Sequence, residues 1–140
     1  MANIVLLLLK AYGLLALMTM THELFHIIAA AIWRIPIVKI VIGMEKVSVR
    51  FGKLYLSPFI FSGFVEVVHE VLESRGKTAV LCFFLSGSVG NVILALSPLV
   101  FRGTIFIFFA WTNAAAVILN FLPCFPENDF SMARKIIRSM

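Results

Sequence analysis

Three apolar stretches, each long enough to cross a bilayer, leave this chain few folds to choose from. They run roughly over residues 4–33, 78–101 and 104–123, and about 20 residues of helix cross the hydrocarbon core. The first, at about 30 residues, must tilt or project beyond the bilayer. It is too long for the apolar core of a signal peptide and is expected to stay in the mature chain. Arg102-Gly103 alone separates the second and third, so these two form a helical hairpin. Composition agrees: 61% of the 140 residues are hydrophobic and 14% charged, where a soluble domain carries about 25% charged residues. One compact membrane domain over residues 1–140 is expected. The basic residues flank the apolar stretches, so the net charge of +5 reads as membrane topology and not as nucleic-acid binding. Cys82 and Cys124 lie within or beside apolar segments and make neither a disulfide framework nor a cysteine-rich metal site.

The segment between the first two stretches is of another kind. Ile37-Val38-Lys39-Ile40-Val41-Ile42 is rich in β-branched residues, and Val47-Ser48-Val49-Arg50-Phe51 alternates apolar and polar, the mark of half-buried strands. Gly52-Lys53 reads as a turn and Leu54-Tyr55-Leu56 as another short strand. From Phe64 to Glu73, the residues Glu66, His69, Glu70 and Glu73 recur at helical spacing, predicting a short amphipathic helix with an acidic face. A second helix, approximately 130–140, sets Met132, Ile136, Ile137 and Met140 on one face and Arg134, Lys135 and Arg138 elsewhere, as suits an anionic lipid surface. The fold class that results is a membrane all-α core of three transmembrane helices. A small membrane-associated β-hairpin or meander, approximately 37–63, lies between the first and second.

One polar cluster interrupts the first stretch: His22-Glu23-Leu24-Phe25-His26, an H-E-x-x-H motif. A central charge in a membrane helix costs about 2.5 kcal/mol or more on insertion scales, so such a group marks a functional site by default. Positions i and i+4 share a helix face, and both imidazoles can reach one metal ion. Glu23, beside them, is placed to take a proton from a water on that ion. The bland alternative is that the two histidines only hydrogen-bond between helices.

Topology is read from charge. Seven Lys and Arg residues lie in 34–77 and three come after Pro123, against Lys10 and Arg102 on the other side. The positive-inside rule then places the 34–77 loop and the C-terminus in the cytoplasm and the N-terminus outside. His22 lies roughly 27 Å along the helix from Ile4, toward the cytoplasmic end and near the segment beyond the third stretch.

That segment begins Asn120-Phe121-Leu122-Pro123-Cys124-Phe125-Pro126-Glu127-Asn128-Asp129-Phe130. H-E-x-x-H in a first core span, with N-x-x-P-x-x-P and an Asp after a third, resembles the site-2 proteases, the intramembrane zinc metalloproteases. Leu85-Ser86-Gly87-Ser88-Val89-Gly90-Asn91 resembles that family's A-G-P-x-x-N stretch. Phe51-Gly52 with Ser62-Gly63-Phe64-Val65 resembles its F-G…G-G-Y-V stretch. The resemblance implies one Zn2+ per chain on His22, His26 and Asp129, with Glu23 as general acid/base. It also implies roles for Asn91, Asn120 and Gly63 in positioning substrate or stabilising an oxyanion. The implied activity is hydrolysis of peptide bonds of a membrane-associated polypeptide in or near the bilayer.

The pattern departs from the family at one place. The family has Asp eight residues after the Asn, followed by Gly. Here Asn128 is the eighth, Asp129 the ninth, and Phe130 stands for the Gly. Asp129 is the preferred third ligand, because a loop absorbs one residue and amides suit zinc poorly. Asn128 and then Glu127 are the alternatives, and Asp129 as a mere N-cap of the last helix is another. If the ligand is lost, the chain would be a catalytically inactive homologue acting as a membrane-bound regulator or binding partner. Expected partners are a membrane protein or peptide substrate, the lipid bilayer, and a regulatory membrane partner or a second copy. His69 with Glu66 and Glu73 reads as a solvated helix face before it reads as a second metal site. Ser86, Gly87, Ser88 and Gly90 read as close-packing positions between helices.

Overall fold

The computed structural model describes residues 2–122 and 128–140. No proline interrupts the first 35 residues, and they form one helix, α1 (Ala2–Ile32). At 1.5 Å per residue it is about 46 Å long, well over the roughly 30 Å of a hydrocarbon core. It stops where Pro36 disfavours helical geometry at Ile35. Arg34 takes a left-handed conformation, φ 53°. The Ile35 N–H then donates to the Ala30 carbonyl and the Arg34 N–H to the Ala31 carbonyl. These are the two bonds of a Schellman cap, with Arg where Gly is usual.

The second and third apolar stretches are α3 (Lys77–Ala95), continued by a 3-10 turn at Ser97–Leu99, and α4 (Thr104–Phe121). Gly103, φ 130°, turns the chain between them. Among the described residues, Asn3–Ile32, Lys77–Leu99 and Thr104–Phe121 are long and apolar enough to cross a membrane. α3 is the central helix. It packs on both α1 and α4, which touch each other far less. The outer faces are bare hydrocarbon: Ile4, Val5, Leu6, Leu7, Leu8 and Leu9 are all more than half exposed. Apolar exposure on that scale marks an interaction surface and is compatible with a membrane protein. The predicted end of the third stretch at Pro123 lies outside the described residues.

The segment after α1 is a four-stranded sheet that contains the expected hairpin. β1 (Ile37–Ile42), β2 (Val49–Phe51), β3 (Leu54–Leu56) and β4 (Gly63–Val67) lie in the order β2-β3-β1-β4. β2 and β3 form the expected hairpin, Phe51 opposite Leu54, with Gly52 at φ 63° in the two-residue turn. β3 then runs parallel to β1, Val41 opposite Tyr55, and β4 runs antiparallel on the other side, Val41 opposite Phe64. Val41 is fully buried at the centre. Gly43, φ 92°, leaves β1, and a Cβ there would stand 2.7 Å from the Phe59 carbonyl oxygen.

The helix expected over Phe64–Glu73 is thereby corrected. Its first part is β4, and only α2 (His69–Ser74) is helical. Val65 and Val67 alternate with Glu66 as a half-buried strand requires, and pairing with the buried β1 outweighs the helical spacing of the acidic residues.

β1 and β4 pack on α1. The core gathers at this end of the molecule, where Ala30, Leu72, Ala79, Val80 and Ala133 are fully buried. Ala133 belongs to α5 (Asp129–Ser139), which packs on α3 and α4. Its first turn thus sits over the His22–His26 face of α1.

Candidate metal centre

Two constraints bring the chemistry together. The first is the i, i+4 spacing on α1, which sets His22 and His26 on one face with Glu23 beside them. The second is the anchoring of α5. Asn120, in the last turn of α4, donates from its amide nitrogen to Asp129 Oδ2 at 2.8 Å, while its amide oxygen accepts the Asp129 backbone N–H at 3.2 Å. That nitrogen also donates to Ser88 Oγ at 3.0 Å. Asp129 is thereby held against α1, 107 positions away from His22 in sequence. Its Oδ2 lies 3.0 Å from His22 Nε2 and 3.4 Å from His26 Nε2. The two Nε2 atoms are 3.2 Å apart. Among the described residues, His22, His26 and Asp129 are the group whose ligand atoms, all within 4.8 Å of one another, could hold a metal ion.

Asn128 has another task. It is the N-cap of α5: its side-chain oxygen accepts the Ser131 N–H at 2.8 Å, and its nitrogen donates to the carbonyls of Leu122 and Leu119. Asp129 is the first helical residue and so is not the cap. Glu127, the remaining alternative ligand, and Cys124 lie outside the described residues.

Burial raises the Asp129 carboxyl pKa, but its hydrogen bonds to His22 and His26 outweigh that and hold it well below the usual carboxylate range. Glu23 is only 3% exposed, and its Oε2 is buried without a hydrogen-bond partner among the described residues. Burying a carboxyl oxygen without a hydrogen bond costs free energy, which marks Glu23 as a candidate functional group.

Two glycines make the site possible. A Cβ on Gly87 of α3 would stand 2.6 Å from His26 Nε2 and closer still to the His22 ring. A Cβ on Gly63, at the start of β4, would stand 2.8 Å from Glu23 Cγ and 2.9 Å from its Oε1. Gly87 is legible in the sequence as a packing position, but the imidazoles as its neighbours are not. Sequence reasoning misses the support of His26 altogether. Its Nδ1 donates to the Phe83 carbonyl at 2.8 Å, with Ser86 Oγ 3.2 Å away. No side-chain pattern announces a backbone acceptor. Asn91, 4% exposed, lies with its amide 3.1 Å from His22 Nδ1.

Two cavities meet at Glu23 and Gly63. One, of about 370 Å³, is lined by Met18, Thr19, Asn91, Ala116, Leu119 and Asn120 among others. The other, of about 620 Å³, opens past His26 and Asp129 along β4 toward Glu66, His69 and Lys135. β4 is an edge strand of the sheet. His69 and Glu66 thus stand at the rim of this cavity, and no second metal group forms around them among the described residues. No protein family, curated protein or solved structure matches the chain.

Proposed function

We propose that this chain is a membrane-embedded zinc metalloprotease of the site-2 protease type, cleaving a membrane-associated polypeptide in or near the bilayer. The observation that carries the reading is the convergence of His22, His26 and Asp129 beside the buried carboxylate of Glu23, where two cavities meet. The donor set fits zinc. Bonds of about 2.0–2.2 Å at tetrahedral angles would set ligand atoms roughly 3.3 Å apart, and the three separations here are 3.0, 3.2 and 3.4 Å. Two imidazoles and a carboxylate leave a fourth position open, as in catalytic and not structural zinc sites.

Zinc bound there would polarise a peptide carbonyl and bring the pKa of water in the site to about 7. The chain's own residues do the rest. Glu23 accepts a proton from the attacking water as its oxygen bonds to the carbonyl carbon. When the C–N bond breaks, Glu23 returns a proton to the departing amine. A substrate helix hides its peptide groups in its own hydrogen bonds and must be extended before attack. The outer edge of β4, unpaired among the described residues and beginning beside Glu23, offers main-chain hydrogen bonds to such a strand. An edge anywhere in Leu54–Phe64 suits this role on sequence grounds. β3 is paired on both sides, which favours β4, whose first residues Gly63 and Phe64 end that segment. By the positive-inside rule, the site lies toward the cytoplasmic face, with 34–77 and the C-terminus cytoplasmic and the N-terminus outside.

The test uses purified chain in lipid vesicles with labelled single-span peptides carrying helix-weakening residues. Wild type is expected to cleave a subset, with chelator abolishing cleavage. Glu23→Gln is expected to hold zinc and cleave at least 10²-fold more slowly, within the usual range of roughly 10²–10⁴ for losing a general acid/base. Cleavage by Glu23→Gln near the wild-type rate, or cleavage indifferent to chelator, would overturn the reading.

A further inference from the structure

His22 and His26 are oriented by different means, and the difference assigns a task to Asn91. The atoms of both rings that face Asp129 are Nε2. An imidazole that ligates through Nε2 carries its proton on Nδ1, and that N–H needs an acceptor, which fixes both tautomer and ring orientation. His26 has one in the Phe83 carbonyl, 2.8 Å from its Nδ1. For His22 the group against Nδ1 is the Asn91 side-chain amide, its nitrogen at 3.1 Å. The Asn91 oxygen, turned away from the ring, is buried and has no hydrogen-bond partner among the described residues. Oxygen and nitrogen of an amide exchange places by a half-turn about χ2 and occupy nearly the same volume, so the network around them decides which faces the ring. With the nitrogen toward Nδ1, His22 would hold its proton on Nε2, facing Asp129, and could not ligate there. With the oxygen toward Nδ1, Nε2 is free.

We propose that Asn91 is a positioning residue for the metal centre. Its side-chain oxygen accepts the His22 Nδ1–H and holds the Nε2 lone pair toward His26 and Asp129. This rests on the zinc-site reading above and goes beyond it, since it gives Asn91 a task toward the metal ligand and not toward substrate. α3 thereby supports both histidines, His26 from the Phe83 carbonyl and His22 from Asn91 two turns further on.

The experiment measures zinc affinity by chelator competition on the full chain in detergent, for wild type, Asn91→Leu and Asn91→Asp. Leu keeps approximate volume and offers no acceptor. Asp keeps shape and acceptor and cannot donate when ionised. Asn91→Leu is expected to bind zinc roughly 10–100-fold more weakly, the usual loss for an outer partner of a ligating histidine, and Asn91→Asp at least as tightly as wild type. Leu binding like wild type, or Asp binding as weakly as Leu, would overturn the proposal. Should Asn91→Leu fail to fold, Asn91→Asp decides alone: an amide that served as donor to Nδ1 is not replaced by a carboxylate. If wild type itself holds no zinc, the zinc-site reading fails instead, which is a separate result.

Discussion

Single atoms decide this site. Gly87 is the sharpest case, because the methyl of alanine would land on both imidazoles. Gly87→Ala is expected to lose most of its zinc and, as overpacking of a close helix contact, about 1–3 kcal/mol of stability. Chelator competition and thermal melting in detergent check both; full zinc content would contradict the close approach. Gly63→Ala presses on Glu23 and on the Val41 carbonyl oxygen and on none of His22, His26 and Asp129, so it is expected to keep zinc and slow cleavage at least tenfold, read from metal content and rate on one preparation. Asn128→Ala removes a cap worth about 0.5–2 kcal/mol and is expected to retain zinc. At this scale the sequence is partly legible. H-E-x-x-H brings His22, Glu23 and His26 together through helical spacing alone, and Asp129 joins them by resemblance once one extra loop residue is allowed. The Phe83 carbonyl is invisible there, because every residue carries one. Asn91 and Asn120 read as substrate groups in the sequence, yet their amides lie against His22 and Asp129, which only three-dimensional placement reveals.

Between elements, the joint of greatest consequence is the loop from β3 to β4. It carries Gly63 to Glu23, and it is tied to α1 far from the sheet. The Tyr12 hydroxyl donates to the Pro58 carbonyl and accepts the Ile60 N–H. Phe59 and Phe61 are half exposed or more, with Phe61 edge-on to the Tyr12 ring. Tyr12→Phe removes both hydrogen bonds, at about 0.5–1.5 kcal/mol each. Faster hydrogen exchange at Ile60 with unchanged zinc content is the expected result; unchanged exchange would show that the loop is held otherwise. The helices are readable from length and apolar content to within a few residues. The sheet is readable only as strands. Alternation identifies a strand but not its neighbours, so nothing in the sequence predicts that β3 runs parallel to β1. β4 is hidden in the sequence because Glu66, His69, Glu70 and Glu73 keep a helical spacing across what is in fact a strand end and a short helix.

The whole molecule sets a buried acid and two histidines at one end of three apolar helices, with an amphipathic helix closing over them. α5 does two things at once: its apolar face packs Ala133 and Ile136 into the core, and its first residue completes the site. Orientation in the membrane is the claim that belongs to this scale. In a background lacking Cys82 and Cys124, Thr104→Cys is expected to react with an impermeant thiol reagent added to intact cells. Lys46→Cys and Ser139→Cys are expected to react only after the membrane is opened. The reverse pattern would invert the topology and place the site toward the outer face.

The most direct measurement is zinc per chain in detergent-purified wild type and Asp129→Ala, which requires no knowledge of the substrate. About one zinc in wild type and a clear loss in the variant is the result predicted for a three-ligand site. Zinc retained by Asp129→Ala, or none held by wild type under conditions that keep weakly bound metal, would contradict it.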